Sequence, residues 1–171
     1  MDGPTRASIT RDGGFRVEGM FSRILVPTDF SAGSERAWRT AQRLAGDLGA
    51  ELVLVHVLVE APLFVEGPFA GHRVREFYAA ARKWVEDQLE QWAAAARGAG
   101  SKVQTVLRVG VPYREIVAAA KDERADLIIL GTHGRGGMDR VLLGSVADRV
   151  IRMAPCPVLS VRGESGARRA V

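Results

Sequence analysis

A single cysteine, Cys156, stands in 171 residues, so no internal disulfide can form and a reducing compartment suits the chain. Long apolar runs are missing too: nothing approaches the ~20 consecutive apolar residues that span a bilayer. The first stretch of chain, with Asp2, Arg6, Arg11 and Asp12, holds no apolar segment of the kind a secretory leader needs. A cytoplasmic location with no membrane contact is the expectation. Charge of one sign is scarce. The net charge is +4, and Arg162, Arg168 and Arg169 against Glu164 account for half of it. The other basic residues are scattered among acidic ones, with no basic face interleaved with aromatics, which argues against a nucleic-acid binder. Only three histidines are present, His56, His72 and His133, and with Cys156 they fall at no metal-ligand spacing, so no protein-held metal is expected. No G-x-x-x-x-G-K-[ST] occurs, which disfavours a P-loop phosphoryl-transfer enzyme. With no nucleophile elbow and no paired general acid and base, no catalytic residue is assigned and a dedicated enzyme is not the expected class.

Glycine, by contrast, is placed with a pattern. A strand, Leu127 to Leu130, runs straight into G-T-H-G-R-G-G-M-D-R-V-L-L-G-S, residues 131–145, and a helix follows. Gly131 and Gly134 are expected to let the backbone turn so that peptide N–H groups approach a phosphate. Gly144 and Ser145 then open a helix whose first N–H groups have no partner inside it and whose dipole is positive at that end, a natural seat for a polyphosphate. The first strand is followed by Pro27-Thr28-Asp29-Phe30-Ser31-Ala32-Gly33, with one glycine and a carboxylate, and not by the G-x-G-x-x-G of a dinucleotide site.

The organisation along the chain is regular from Ile24. Residues 1–20 lack sustained periodicity and read as a flexible N-terminal extension; 21–162 form one domain; 163–171 read as a solvated tail. Ile24 to Val26 is a short buried strand, Ser34 to Leu48 a helix with Ala37, Trp38, Ala41, Leu44 and Ala45 on one face, and Glu51 to Leu58 a second strand. A breaker-rich loop after Pro62 precedes a long helix of about Val74 to Arg97. Its stripe of Phe77, Ala81, Trp84, Val85, Leu89, Trp92 and Ala96 is expected to face the core. Val103 to Val109 is the third strand, and Pro112 stands where a helix start tolerates it. Alternating strands and helices imply an α/β fold: an open parallel sheet sandwiched by helices with right-handed crossovers.

At this point the chain resembles the universal stress protein family, in its nucleotide-binding branch. The family motif G-x2-G-x9-G-[ST] matches Gly131, Gly134, Gly144 and Ser145 without a gap, followed by the family-like Ala154-Pro155-Cys156-Pro157-Val158. Ile24 to Ser31 resembles the family's first strand and loop, and Val55-His56-Val57 its second strand. The resemblance implies a Rossmann-like five-stranded sheet of order 3-2-1-4-5, with the ligand crevice where strands one and four are neighbours. It also implies an adenine nucleotide as cofactor: ATP, or AMP or ADP, with Mg²⁺ arriving only through the phosphates. Asp29 would meet the nucleoside and Val57 would meet adenine through its backbone. Pro27, Thr28 and Leu130 would help line the pocket, and Gly131, His133, Gly134, Gly144, Ser145 and Val146 would line the ribose and phosphate end. It further implies a homodimer through the last strand, Val158 to Val161, a short apolar sheet edge.

Each role has a competitor in the residues themselves. Asp29 suits ribose or adenine hydrogen bonding, and equally a helix cap. Ser145 suits an N-cap or a phosphate. Arg135 and Arg140 suit phosphates or solvent, and His133 likewise. His56, in an apolar strand, reads as a satisfied core imidazole, and Cys156 as packing. The functional expectation is an ATP-binding regulatory or stress-response protein in which nucleotide orders the loop from Thr132 to Leu143. A slow ATPase and a nucleotide-independent partner-binding module are the alternatives.

Overall fold

Five parallel strands form the centre of the computed structural model, in the spatial order 103–109, 51–58, 23–27, 127–131, 158–161. The structure describes residues 6–9, 15–18, 20–59, 70–132 and 144–162, with side chains over 20–59, 76–132 and 144–162. The sheet strands are β3 (Arg23–Pro27), β4 (Glu51–Leu58), β5 (Val103–Val109), β6 (Leu127–Gly131) and β7 (Val158–Val161). Counted along the chain from β3, this is the 3-2-1-4-5 order that the resemblance implies. The helices are α1 (Ala32–Leu48), α2 (Ala70–Gly98), α3 (Pro112–Asp122) and α4 (Ser145–Met153).

The two-residue alternation of the strands sorts the core into two layers. Ile24, Val26, Leu52, Leu54, Leu127 and Ile129 pack with Ala37, Trp38, Ala41 and Ala45 of α1 and with Val85, Leu89 and Ala96 of α2. Leu25, Val53, Val55, Ile128 and Leu130 pack on the other face with Ile116, Ala119 and Ala120 of α3 and Ala147 and Val150 of α4. Strands buried on both faces read as unbroken apolar runs, which is what Ile24-Leu25-Val26 and Leu127-Ile128-Ile129-Leu130 are. At the amino ends of the strands, Asp126 ties β6 to β3. Its carboxylate accepts from Ser22 N–H at 2.7 Å, Ser22 Oγ–H at 2.6 Å and Arg23 N–H at 3.0 Å.

Two differences from expectation have local causes. The stretch expected as a flexible extension contains an antiparallel pair, β1 (Arg6–Ile9) with β2 (Phe15–Glu18), in the register Arg6↔Glu18 to Ile9↔Phe15. Apolar residues alternate in both strands around Asp12-Gly13-Gly14, a hairpin pattern too short to stand out by periodicity. The aromatic stripe of α2 is only partly core. Val85, Leu89 and Ala96 are buried, but Phe77 is 71% exposed and Trp84 48% exposed. At 100° per residue Phe77 and Trp84 fall roughly 100° away from the face shared by Val85, Leu89, Trp92 and Ala96, so the apolar stripe wraps off the buried face. Among the described residues no helix is long and apolar enough to cross a membrane.

Candidate functional site

β3 and β6 are adjacent and parallel, with Ile24 opposite Leu127 and Leu25 opposite Ile128. The pairing ends there, and the connections that follow leave the sheet in opposite directions, β3 into α1 on one face and β6 toward α4 on the other. This is the topological switch point, where open α/β sheets bind their ligands.

On the β3 side, Thr28 N–H donates to Val55 O at 2.8 Å and extends the ladder one residue beyond Pro27. A run of hydrogen bonds then folds the turn. Phe30 N–H donates to Thr28 Oγ1 (3.0 Å), Thr28 Oγ1–H to Ser34 Oγ (3.1 Å) and Ser34 Oγ–H to Ser31 O (3.0 Å). Thr28 and Ser34 are both buried, and a run of this kind polarises along its length. Thr28, expected to help line the pocket, has its hydroxyl committed to the turn. The cap of α1 is Ser31, whose side chain accepts from Ser34 N–H. Asp29 does not fill that role: its Oδ1 accepts from Ser31 N–H at 3.0 Å, an Asx turn that fixes the carboxylate just ahead of the helix.

Phe30 sits at the bend with φ 60°, in the left-handed region. For a residue with a Cβ this conformation costs roughly 1–2 kcal/mol. Its ring stacks on His56 (4.9 Å between centroids, 19° between planes) and meets Trp84 and Trp92 edge-on, each at 5.5 Å. Contacts of this type contribute about 0.5–1.5 kcal/mol apiece beyond burial, so three offset the strain. The His56 Nδ1–H donates to Thr28 O at 2.8 Å, in line with the satisfied imidazole expected there. No signal in the sequence announces a left-handed phenylalanine.

On the β6 side, Leu130 is buried and Gly131 ends the strand. The reason for glycine at 131 differs from the one expected. Its φ is not among the positive values found at Gly49, Gly100 and Gly110. Instead, a Cβ at 131 would stand 2.8 Å from both C and O of Gly33 and 3.2 Å from Ser34 N. Glycine here lets β6 touch the first turn of α1. Thr132 follows, buried, with its N–H on Val161 O at 3.1 Å and its carbonyl accepting Gly144 N–H at 2.8 Å. Thr132 and Gly144 therefore lie side by side at the end of β6. His133, Gly134, Arg135 and Arg140, all expected at the phosphate end, lie outside the described residues.

Gly144 is the N-cap of α4 and makes no side-chain capping bond; Ser145 is the first helical residue and exposed. Of the two readings of Ser145, N-cap or phosphate contact, the cap falls to Gly144. Asp148 N–H closes the first turn on Gly144 O at 2.9 Å, so the N–H groups of residues 145–147 have no partner inside the helix. Val146, beside Ser145, is 38% exposed. Val57, near the end of β4, lies half-buried on the same face as Leu130. Pro27, Thr28, Asp29, Leu130, Gly131, Gly144 and Ser145 are thereby gathered around the carboxyl ends of β3 and β6, with Val57 one strand away.

The Universal stress protein family model matches residues 20–162. The chain belongs to the universal stress protein family. Universal stress protein MJ0531 of Methanocaldococcus jannaschii is 38% identical over 161 residues, covering 91% of this chain and 88% of that protein. The solved structure of MJ0577, 32% identical, superposes with a TM-score of 0.72 over 85% of this chain and 98% of that one. A universal stress protein solved in complex with cAMP, 24% identical, covers 83% of this chain and 97% of its own with a TM-score of 0.62; at that distance it shows the fold alone. The family's sheet order is the one described above.

Proposed function

We propose that this universal stress protein binds an adenine nucleotide, ATP foremost with ADP or AMP as alternatives, in the crevice between β3 and β6, and acts as a regulatory stress-response protein in the cytoplasm. The observation that carries the reading is the contact between Thr132 and Gly144. The Gly144 N–H bond to Thr132 O sets the open amino end of α4 at the end of β6, where Gly131 lies against the first turn of α1. Unpartnered N–H groups and a positive dipole end suit phosphate. Asp29, a carboxylate one strand away, suits ribose hydroxyls or the adenine amine and repels phosphate, so the two ends of a nucleotide have distinct places.

In this reading Val57 meets adenine through its backbone, Pro27, Thr28 and Leu130 wall the base and ribose, and Gly131, Gly144, Ser145 and Val146 border the phosphates, with Mg²⁺ held only through them. His133, Gly134 and Arg135 complete the phosphate end. Nucleotide binding orders the segment 132–143 and so changes the surface a protein partner meets; amide exchange there should slow on saturation with ATP.

A homodimer through β7 belongs to the same proposal. Ile128 N–H donates to Pro157 O and Thr132 N–H to Val161 O, so the carbonyls of alternate residues 157, 159 and 161 face β6. Val158 and Ser160 then present their N–H and C=O groups to the open edge, where a second copy can pair. Equilibrium binding of ATP to nucleotide-stripped protein tests the central reading. Saturable binding without steady phosphate release supports a binding protein, steady release moves the reading to a slow ATPase, and no binding overturns it.

A further inference from the structure

Phe30 has no part in the roles assigned above, yet it carries the only strained aromatic backbone among the described residues and stands next to Asp29. We propose that Phe30 is a positioning residue for the nucleotide site: its ring, held by His56, Trp84 and Trp92, locks the turn that aims the Asp29 carboxylate. The inference rests on the adenine-nucleotide reading and names what makes that site rigid.

A left-handed bend is ordinarily given to glycine. A phenylalanine there implies that the side chain holds something the backbone alone would not. His56 grips both flanks of Asp29: its Nδ1–H holds the Thr28 carbonyl at 2.8 Å, and its ring stacks under Phe30 at 4.9 Å. Asp29, between them, has its Oδ1 fixed by Ser31 N–H. The turn is therefore pinned through backbone, carboxylate and neighbouring side chain together. The edges of Trp84 and Trp92 close the box from α2 and explain why the half-exposed Trp84 stays over the turn. Asp29 is thus preorganised, and preorganisation raises affinity without adding a contact to the ligand.

The test is ATP calorimetry on the full-length wild type, Phe30→Gly, Phe30→Tyr, Asp29→Asn and the Phe30→Gly/Asp29→Asn double variant. Glycine keeps the left-handed bend accessible, and asparagine keeps an oxygen for Ser31 N–H. Phe30→Gly should weaken ATP by about tenfold or more, and Phe30→Tyr should restore affinity to within about threefold of wild type. The Asp29→Asn loss should shrink by about threefold or more once Phe30 is gone, a coupling that a purely structural role would not produce. Wild-type affinity in Phe30→Gly, or losses that simply multiply in the double variant, would overturn the inference while leaving nucleotide binding intact. A wild type that binds no ATP overturns both. Should Phe30→Gly not fold, Phe30→Leu, which keeps an apolar side chain but loses the stack, carries the same comparison.

Discussion

Adding one methyl group at Gly131 should unbalance the fold far more than its size suggests. The Cβ of Gly131→Ala would lie 2.8 Å from C and O of Gly33 and 3.2 Å from Ser34 N. All three are backbone atoms, which cannot rotate away as the end of a side chain would. Either β6 or the first turn of α1 has to move, and overpacking of a rigid contact costs about 1–3 kcal/mol. In a chain of this length each kcal/mol shifts Tm by about 2–4 °C, so a loss of about 4–8 °C is expected from the middle of that range. The matched control is Gly46→Ala. Gly46 lies inside α1 with nothing within 4 Å of the added Cβ. There the same methyl removes helix-interior glycine and should stabilise by about 0.5–1 kcal/mol, raising Tm by about 1–4 °C. Thermal and urea unfolding followed by far-ultraviolet circular dichroism reads both variants. Equal Tm shifts of one sign, or an unchanged Tm in Gly131→Ala, would refute the close-approach argument. Because Ser31 caps α1 and Ser34 lies in its first turn, Gly131→Ala should also disturb the Asp29 turn.

Asp126→Ala removes the acceptor of three hydrogen bonds that tie Ser22 and Arg23 to β6, and should cost about 1–3 kcal/mol in urea unfolding with no change in ATP affinity. Burial, and after it Asp126, push the Cys156 thiol up. The unfolded chain then loses that proton first, so stability is intact below the ordinary thiol range of about 8.5 and falls as pH rises through the higher folded value. Cys156→Ala should flatten that alkaline fall in urea midpoints measured across pH; an unchanged slope would assign it elsewhere. Ser160→Pro removes an outward-facing N–H from β7 without touching the bonds to β6. If the proposed β7 dimer forms, this variant should sediment as a monomer beside a dimeric wild type, and a variant that still sediments as a dimer would place the interface elsewhere.

Much of the sheet was legible because its strands are short apolar runs separated by helical periods, and because Ile24 to Ser31 and residues 131–145 carry a recognisable pattern. What stayed hidden was non-local. The need for glycine at 131 arises from Gly33, nearly a hundred residues earlier, and no local propensity reports such a contact. Asp29, Ser31 and Ser34 are all capable caps, and only the hydrogen bonds separate Ser31 as the cap from Asp29 as the preceding Asx residue. Phe77 follows Leu89's three-to-four-residue spacing, but over twelve residues that spacing drifts about 120° around the helix, off the buried face. The β1–β2 pair was within reach: Ala7 and Ile9 alternate against Phe15 and Val17 around Asp12-Gly13. At the site, the positions of Pro27, Asp29, Gly131 and Gly144 followed from the motif, while Phe30 and its box did not, since a strained phenylalanine leaves no trace in composition or spacing.

The most direct test of nucleotide binding is mass spectrometry of the small molecules released when the purified protein is denatured, with Asp29→Ala as the comparison. The account predicts ATP, or its hydrolysis products ADP and AMP, in near-stoichiometric amount from the wild type and much less from Asp29→Ala. No adenine nucleotide from the wild type, together with no rise in Tm on adding ATP, would contradict it.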